Sequence, residues 1–593
     1  MSLPPAEEVP ATEAIAASPG TLDRYPSAQL VAALTAARAE AARAVARARD
    51  AEQTCSMEPS RRAFLMQALG VSTLLSLASG CASGPRREEE EAPPPPAPRE
   101  WRAVWVATVA NIDWPSRPGL SRAALETEIA RLLDRLAALH LNAVILQVRP
   151  SADAFYPSAL EPWSEYLTGT QGKAPEPGFD PLERWIDEAH ARGLELHAWI
   201  NPFRARASAA RSAEAQTHIA RRAPELVRHY GDQLWLDPAE PRAQAHTLAV
   251  AEDILRRYDV DGLHLDDYFY PYPVRGHDGE ELDFPDEGPW QRYLAAGGTL
   301  ARADWRRAQV DQMVRELYQL VRQLRPEARF GISPFGLPRP DRRPPEITGF
   351  SQYDRLYANV ERWLEEGWLD YLVPQLYWPR AQPGQPFEPL LRTWLSANAR
   401  ARHLFPGLFL SRLASSAAPA NAQSAWPPEE ILGQIALSRI VLGEVPGRAL
   451  GHVHFSARAF VENRSGIGEA LLREPYRDGA LAPRYPWLEP TRLQQPRKGP
   501  RPPRVELVSR AENGLVELHL QREDRAAFRH VLAWREATEG RWRWAIQGAS
   551  IERVRLRVEA EPGVPERLWA SAVDREGLEG ERIRLVLSRT GPR

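Results

Sequence analysis

Val260-Asp261-Gly262-Leu263-His264-Leu265-Asp266-Asp267-Tyr268 is an apolar run that ends on two adjacent carboxylates and opens into aromatic residues, Phe269 and Tyr270. Its length and composition read as a buried strand, Val260–Asp267. Segments of the same texture precede it at Arg102–Val109, Asn142–Val148 and Gly193–Ile200, and follow it at Arg329–Phe335, Leu369–Tyr377, His403–Leu410 and Gly451–Ser456. Amphipathic helical patterns lie between them, for example Leu125–Leu139, Pro181–Arg192 and Trp305–Leu324. Strands alternating with helices imply a parallel sheet. Eight such units over about 380 residues fit an α/β fold of the (β/α)8, or TIM-barrel, kind with long insertions after the strands.

In that fold, chemistry collects at the C-terminal ends of the strands, and the polar and aromatic residues of this chain gather there. Asn111, Asp113 and Trp114 follow the first strand, and Gln147 and Arg149 end the second. His197, Trp199 and Asn201 alternate on one face of the third. The fourth brings His264, Asp266, Asp267 and Tyr268, the fifth Ser333, and the sixth Gln375, Tyr377 and Trp378. His452 and His454 on the eighth read as satisfied core groups. The sharpest feature is the pair Asp266 and Asp267. Like charges in a partly dry cleft raise one pKa, which leaves one acid and one base near neutral pH. Glycoside hydrolysis needs both. A turn cap or a calcium site are the structural alternatives, and no further oxygen-ligand spacing of the EF-hand type accompanies the pair.

The rest of the chain sets limits. It has 593 residues with a formal net charge of −3 and a pI near 6.5, so no basic footprint for nucleic acid is present. The two cysteines are Cys55 and Cys81, which excludes a disulfide framework or a thiolate zinc site beyond residue 81. No metal or cofactor is called for. Ser60-Arg61-Arg62-Ala63-Phe64-Leu65, the apolar run Met66–Leu77 and Ala78-Ser79-Gly80-Cys81 look like a twin-arginine export signal ending in a lipobox. Cys81 would then be acylated and anchor the protein to a membrane. Ala82 in place of Asp predicts sorting to the outer membrane, on its periplasmic face, in a Gram-negative host. Residues 57–81 are thus read as the signal and 1–56 as a mis-annotated or disordered extension, with Met57 as the expected start. Residues 82–99, rich in Glu and Pro, are a stiff tether. The barrel takes 100–495. From 500 to 593 the helical pattern gives way to short alternating runs (Val505–Val508, Leu515–Leu520, Val531–Arg535, Trp542–Ile546, Val554–Val558, Leu568–Val573), which read as a fibronectin-III-like β-sandwich. Trp534, Trp542 or Trp544 there could bind sugar, but a spacer or docking role is the expectation.

Residues from about 100 to 490 resemble the glycosyl-hydrolase-like 10 family of bacterial lipoproteins. The resemblance rests on Arg102–Val109 with Asn111–Pro115, Asn142–Pro150, His197–Arg204, Asp261–Pro271, Ile332–Gly336 and Leu369–Trp378. It implies a TIM-barrel glycosidase acting on a polysaccharide, with peptidoglycan glycan strands as the substrate class. The fourth-strand stretch is also similar to that of amylase-type barrels, where the residue matching Asp266 is the nucleophile. Those enzymes carry a Glu where this chain reads Ser333-Pro334-Phe335-Gly336. In a chitinase match the catalytic Glu would fall on Tyr268. The hexosaminidases that remove O-linked N-acetylglucosamine fit better, since an adjacent Asp pair there serves as acetamide polariser and general acid. Under a nucleophile scheme Asp113 or Asp153 would be the distant acid. The competing functions are a glycan-binding lipoprotein without turnover and a metal-dependent deacetylase using His197, His264 and Asp266.

Overall fold

The computed structural model describes residues 93–276, 279–415, 425–489, 497–510, 515–536, 540–557 and 567–586. Residues 1–92, which hold the expected extension, export signal and Cys81 and most of the expected tether, lie outside the described residues. Among the described residues no helix is long and apolar enough to cross a membrane.

The alternation seen in the sequence has a direct structural counterpart. In β1 (Glu100–Val106), Trp101, Ala103 and Trp105 point one way and Val104 and Val106 the other. In β2 (Ala143–Arg149), Ala143 and Ile145 join the first set and Val144 and Leu146 the second. The first set meets Tyr371, Val373, Phe405 and Val453 in a core that contains no helix residue, which is the barrel interior. The second set packs on the surrounding helices. β3 (Glu195–Ile200), β4 (Gly262–Leu265), β5 (Arg329–Ile332) and β6 (Tyr371–Leu372) continue the parallel ladder in sequence order. β7 is in two pieces, His403–Leu404 beside β6 and Gly407–Phe409 beside β8 (Leu450–Phe455), and β8 pairs back onto β1. The sheet therefore closes on itself through the Phe405-Pro406 link. Rings rather than aliphatic layers fill the axis, and glycine makes the room: a Cβ on Gly331 would lie 1.9 Å from the Tyr371 ring, and one on Gly262 would lie 2.6 Å from His197 Nδ1.

Strand ends differ from expectation for local reasons. β1 stops at Val106, because the Thr108 and Val109 amides turn to the Gln147 side chain (both 3.0 Å) and the chain winds into a short turn with positive φ at Ala110 and Asn111. Only Tyr371–Leu372 of the expected Leu369–Tyr377 remains as regular strand, since Pro374 offers no N–H. β4 ends at Leu265, which leaves Asp266 and Asp267 just beyond the ladder. A small antiparallel sheet, Arg204–Arg206 with Gln233–Leu236 and Val227–Tyr230, is inserted between β3 and β4 and was not foreseen. Its strands are too short to carry a periodicity.

Beyond residue 503 two antiparallel sheets face each other. β9 (Arg504–Arg510), β10 (Leu515–Gln521) and β13 (Arg553–Arg557) form one; β12 (Trp542–Gly548), β11 (Arg529–Arg535), β14 (Arg567–Val573) and β15 (Ile583–Val586) form the other. Trp534 is buried between them with Val516, Leu518 and Leu568. This domain sits against the N-terminal ends of the barrel strands. Arg529 donates to the carbonyls of Gly193 (2.8 Å) and Asn142 (3.3 Å), and Arg575 reaches Asp261 and the Asp259 carbonyl.

Candidate active site

At the C-terminal mouth, Asp266 and Asp267 are each 4% exposed. Asp266 Oδ2 accepts the Trp199 indole N–H (3.1 Å) and the Asn201 amide, while Oδ1 faces the Tyr268 backbone N–H (3.3 Å). Asp267 Oδ2 accepts the Tyr272 hydroxyl. Burial, and then the charge of Asp267, push Asp266 up to about 7. Asp267 is raised too, by burial, against the opposing hydrogen bonds of Tyr272 and Gln375. Two neighbouring carboxyls in a dry site take protons as a unit, and burial raises the proton affinity of both members. A group that can give and take a proton at its working pH is what general acid–base catalysis requires. Tyr377 and Tyr268 stand within reach of the pair's charge, and each phenol is held well away from ionisation.

The orientation of Asn201 is fixed from behind. Gln147 Oε1 accepts the Thr108 and Val109 amides, so its Nε2 must donate, and it does so to Asn201 Oδ1 at 2.7 Å. Asn201 is thereby left presenting its own NH2 to Asp266. Gln147 and Asn201, both fully buried, position the carboxylate.

Below this layer lies a column of rings. The Trp105 indole donates to His264 Nε2 (3.2 Å), so Nδ1 carries the proton and donates to the Tyr371 hydroxyl (3.1 Å), which donates to His197 Nδ1 (2.8 Å). The Ser333 hydroxyl also touches His264 Nε2 (3.0 Å). Burial holds His264 well below its ordinary range, in keeping with a neutral ring. With these ring nitrogens committed along the axis, His197 and His264 do not converge with Asp266 as a ligand set. Among the described residues no group of three or more His, Cys, Asp or Glu could hold a metal ion.

Residues 100–426 match the family described as Glycosyl hydrolase-like 10. The chain belongs to that family. It is similar to the glycosyl hydrolase YngK of Bacillus subtilis (strain 168), 38% identical over 70% of this chain and 78% of that protein. It is also similar to the glycosyl hydrolase DigH of Escherichia coli (strain K12), 34% identical over 49% of this chain and 69% of that protein. Among solved structures, the glycoside hydrolase domain of PgaB (BpsB) from Bordetella bronchiseptica aligns with 63% of this chain and 98% of its own, at 15% identity and a TM-score of 0.42.

Within this family member the remaining residues singled out from sequence fall into two groups. Gln375 and Tyr377 stand at the pair, with the Gln375 amide also donating to the Ser333 carbonyl (3.0 Å). The others are taken up by the scaffold. Asp113 accepts from the Ala107 amide (2.8 Å), the Ser456 hydroxyl and the Arg458 amide (both 2.7 Å), tying the loop after β1 to the end of β8. Asp153 accepts the Ser151 amide (2.9 Å). Burial raises each of these two carboxyls to about 6. Asn111 donates to the Pro115 and Tyr166 carbonyls. Arg149 grips Glu161 (2.6 Å) with no exposure of its side chain. Trp114 packs edge-on against Trp185, and Trp378 against Phe335. His452 and His454 are buried core groups that share the Tyr476 hydroxyl through Nε2, but neither is fully satisfied, since Nδ1 of each ring has no hydrogen-bond partner. Two residues of the site went unremarked in the sequence, Tyr272 and Arg204. Tyr272 closes the aromatic run after Asp267. Arg204 is the next charge after β3 and lies at the edge of a stretch already tied to the family.

Proposed function

We propose that this protein is an exported, lipid-anchored glycoside hydrolase that cleaves glycosidic bonds in a cell-wall polysaccharide, with peptidoglycan-type glycan strands as its substrate. The observation that carries the reading is the Asp266–Asp267 pair, buried at the barrel mouth with raised proton affinity and oriented by Trp199, Asn201 and Tyr272. Family membership and relatives named as glycosyl hydrolases support it. The end of β5 offers Ser333 rather than a carboxylate, and Asp113 and Asp153 are engaged in the scaffold. This favours substrate assistance over a distant second acid. One member of the pair holds the N–H of a 2-acetamido group so that its carbonyl oxygen attacks the anomeric carbon. The other protonates the departing glycosidic oxygen, then accepts a proton from the water that opens the cyclised intermediate. Tyr377 and Tyr268 are the stacking and hydrogen-bonding surface for the sugar.

The test is incubation of the purified protein with defined cell-wall glycans, with products identified by mass. Asp266→Asn and Asp267→Asn should each lower turnover by at least about a hundredfold. The variant that has lost the acid should still cleave an aryl glycoside with a good leaving group, and the other should not. Glycans without the N-acetyl group should resist, and a thiazoline mimic of the cyclised acetamide should inhibit. Full activity in both variants would remove the pair from the chemistry. Anchoring has its own check: Cys81→Ala should move the protein from the detergent phase to the aqueous phase on partitioning. Unchanged partitioning would overturn lipidation at that residue.

A further inference from the structure

Arg204 is a buried cation without a carboxylate of its own. It follows β3 after Pro202 and Phe203 and is 6% exposed. Its Nε donates to the Pro150 carbonyl (2.8 Å), its guanidinium carbon lies 4.8 Å above the Tyr268 ring, and its Nη2 is buried with no hydrogen-bond partner. Among the described residues it makes no ion pair. Other buried arginines of the barrel are matched: Arg149 with Glu161, Arg102 with Glu100, and Arg306 with Asp286. A buried charge that is neither paired nor neutralised is costly. The Tyr268 ring that Arg204 covers follows Asp267 directly in the chain. From that position, beyond ion-pair distance, the Arg204 charge lowers the proton affinity of both Asp266 and Asp267, as it does that of the Tyr166 phenol.

We propose that Arg204 is a positioning residue for the catalytic pair: the counter-ion that holds Asp266 and Asp267 at one net negative charge, so that the two carboxyls share a single proton. It acts through the pair and does not touch the sugar. The proposal deepens the hydrolase reading and rests on it for the word catalytic alone. The titratable groups facing the pair are Tyr268 and Tyr272 after β4 and Tyr377 after β6. β3 contributes the neutral donors Trp199 and Asn201, and Gln375 lies on the β6 side. The phenols stay protonated through the range in question, which leaves Arg204 as the fixed charge that sets the pair's balance. Removing that charge makes both carboxyls hold their protons to higher pH.

The experiment reads the carboxyls directly, without turnover. The protonated-carboxyl stretch of the full chain is followed by infrared spectroscopy across pH in wild type, Arg204→Gln, Arg204→Lys and Asp266→Asn, the last identifying the band. Arg204→Gln keeps a donor toward Pro150 but loses the charge, and should shift the titration upward by about one unit, a tenfold change in proton affinity. Arg204→Lys keeps the charge and should restore most of the wild-type curve. An unmoved band in Arg204→Gln overturns the proposal, and so does an equal shift in Arg204→Lys, because charge would then not be the agent. With an active enzyme, both limbs of the kcat/KM profile should move up together in Arg204→Gln. A shifted band in a protein that cleaves no glycan would sink the hydrolase reading and leave the counter-ion assignment standing.

Discussion

Asp261 and Asp266 bracket one short strand and have opposite electrostatic fates. Asp261, at the N-terminal end, is also buried. It accepts the Leu196 amide (2.7 Å) and His190 (2.9 Å) and faces Arg575, and these hold its carboxyl well below the usual range. Asp266 has neutral donors and a like-charged neighbour, and rises to about 7. The difference has a thermodynamic consequence. A carboxyl whose pKa is near 7 folded and about 3.9 unfolded binds more protons in the folded state throughout that window. Stability on account of Asp266 therefore falls as pH rises from about 4 to about 7, and stays lower above. Asp266→Asn cannot ionise, so it should melt several degrees above wild type on the alkaline side, with the gap closing near pH 4. Calorimetry at both pH values decides it. An equal gap at the two would reduce the effect to packing, and a variant less stable at high pH would mean that Arg204 stabilises the ionised form outright. From sequence the two adjacent aspartates were legible, because carboxylates rarely end an apolar strand without a use. Their supporting residues were not. Gln147 and Asn201 looked like sugar ligands, and only the Thr108 and Val109 amides behind Gln147 reveal that the two act as a relay.

At the scale of elements, the barrel was legible because the interior and exterior of each strand differ in kind. Trp101, Ala103 and Trp105 alternate with Arg102, Val104 and Val106, and that period survives whatever the ends do. The ends were less legible, for a physical reason: strand termini depend on where individual N–H groups find partners, and composition does not encode this. Pro374 and Pro406 each withhold a donor inside a run that is otherwise strand-like. The chain there continues through single bridges, Phe335 to Gln375 and Gln375 to Gly407, instead of a regular ladder. The consequence reaches the site. Although regular pairing in β6 stops at Leu372, the bridges at Gln375 keep the chain in line with its neighbours, which brings Gln375 to Asp267 and Tyr377 within reach of the pair's charge. Tyr377 stacks on Phe409 from the second piece of β7 (4.7 Å, 18°) and lies 5.9 Å from Phe455 at the end of β8. Three neighbouring strands thus build one aromatic cluster, of which Tyr377 is the member within reach of the charge of Asp266 and Asp267. The inserted sheet after β3 has a similar effect on the other side, since its first residue is Arg204.

At the scale of the whole molecule, the C-terminal domain belongs to the barrel's foundation and stands apart from its mouth. Trp534, a candidate sugar platform by its sequence, is spent on that domain's own core, and Trp544 packs toward Leu481 and toward Ala97, just ahead of β1. What the domain offers the barrel is positive charge. Glu195 and Asp261, at the N-terminal ends of β3 and β4, are buried among Arg329 of the barrel and two arginines of the C-terminal domain, Arg529 (3.8 Å from Glu195) and Arg575. Backbones meet as closely: a Cβ on Gly548 would lie 2.3 Å from the Ala191 carbonyl oxygen. Taking one partner from a buried ion pair leaves an uncompensated charge and costs about 3–5 kcal/mol. His190 and Arg329 still face Asp261 when Arg575 is gone, so Arg575→Ala should fall toward the lower end of that range. The sign with pH follows from the lowered pKa of Asp261. The stabilisation is present above the unfolded value of about 4 and is lost as pH falls through the folded one. Arg575→Ala should accordingly lose its deficit in strong acid and show it fully at neutral pH. Turnover per folded molecule should stay at the wild-type level well below the melting point, because the lesion lies at the end of the barrel opposite Asp266. Urea melts at two pH values, with kcat measured in parallel, test both halves. Loss of kcat without loss of stability would mean that the ring column from Glu195 through His197 and Tyr371 to His264 carries the state of the barrel floor up to the site.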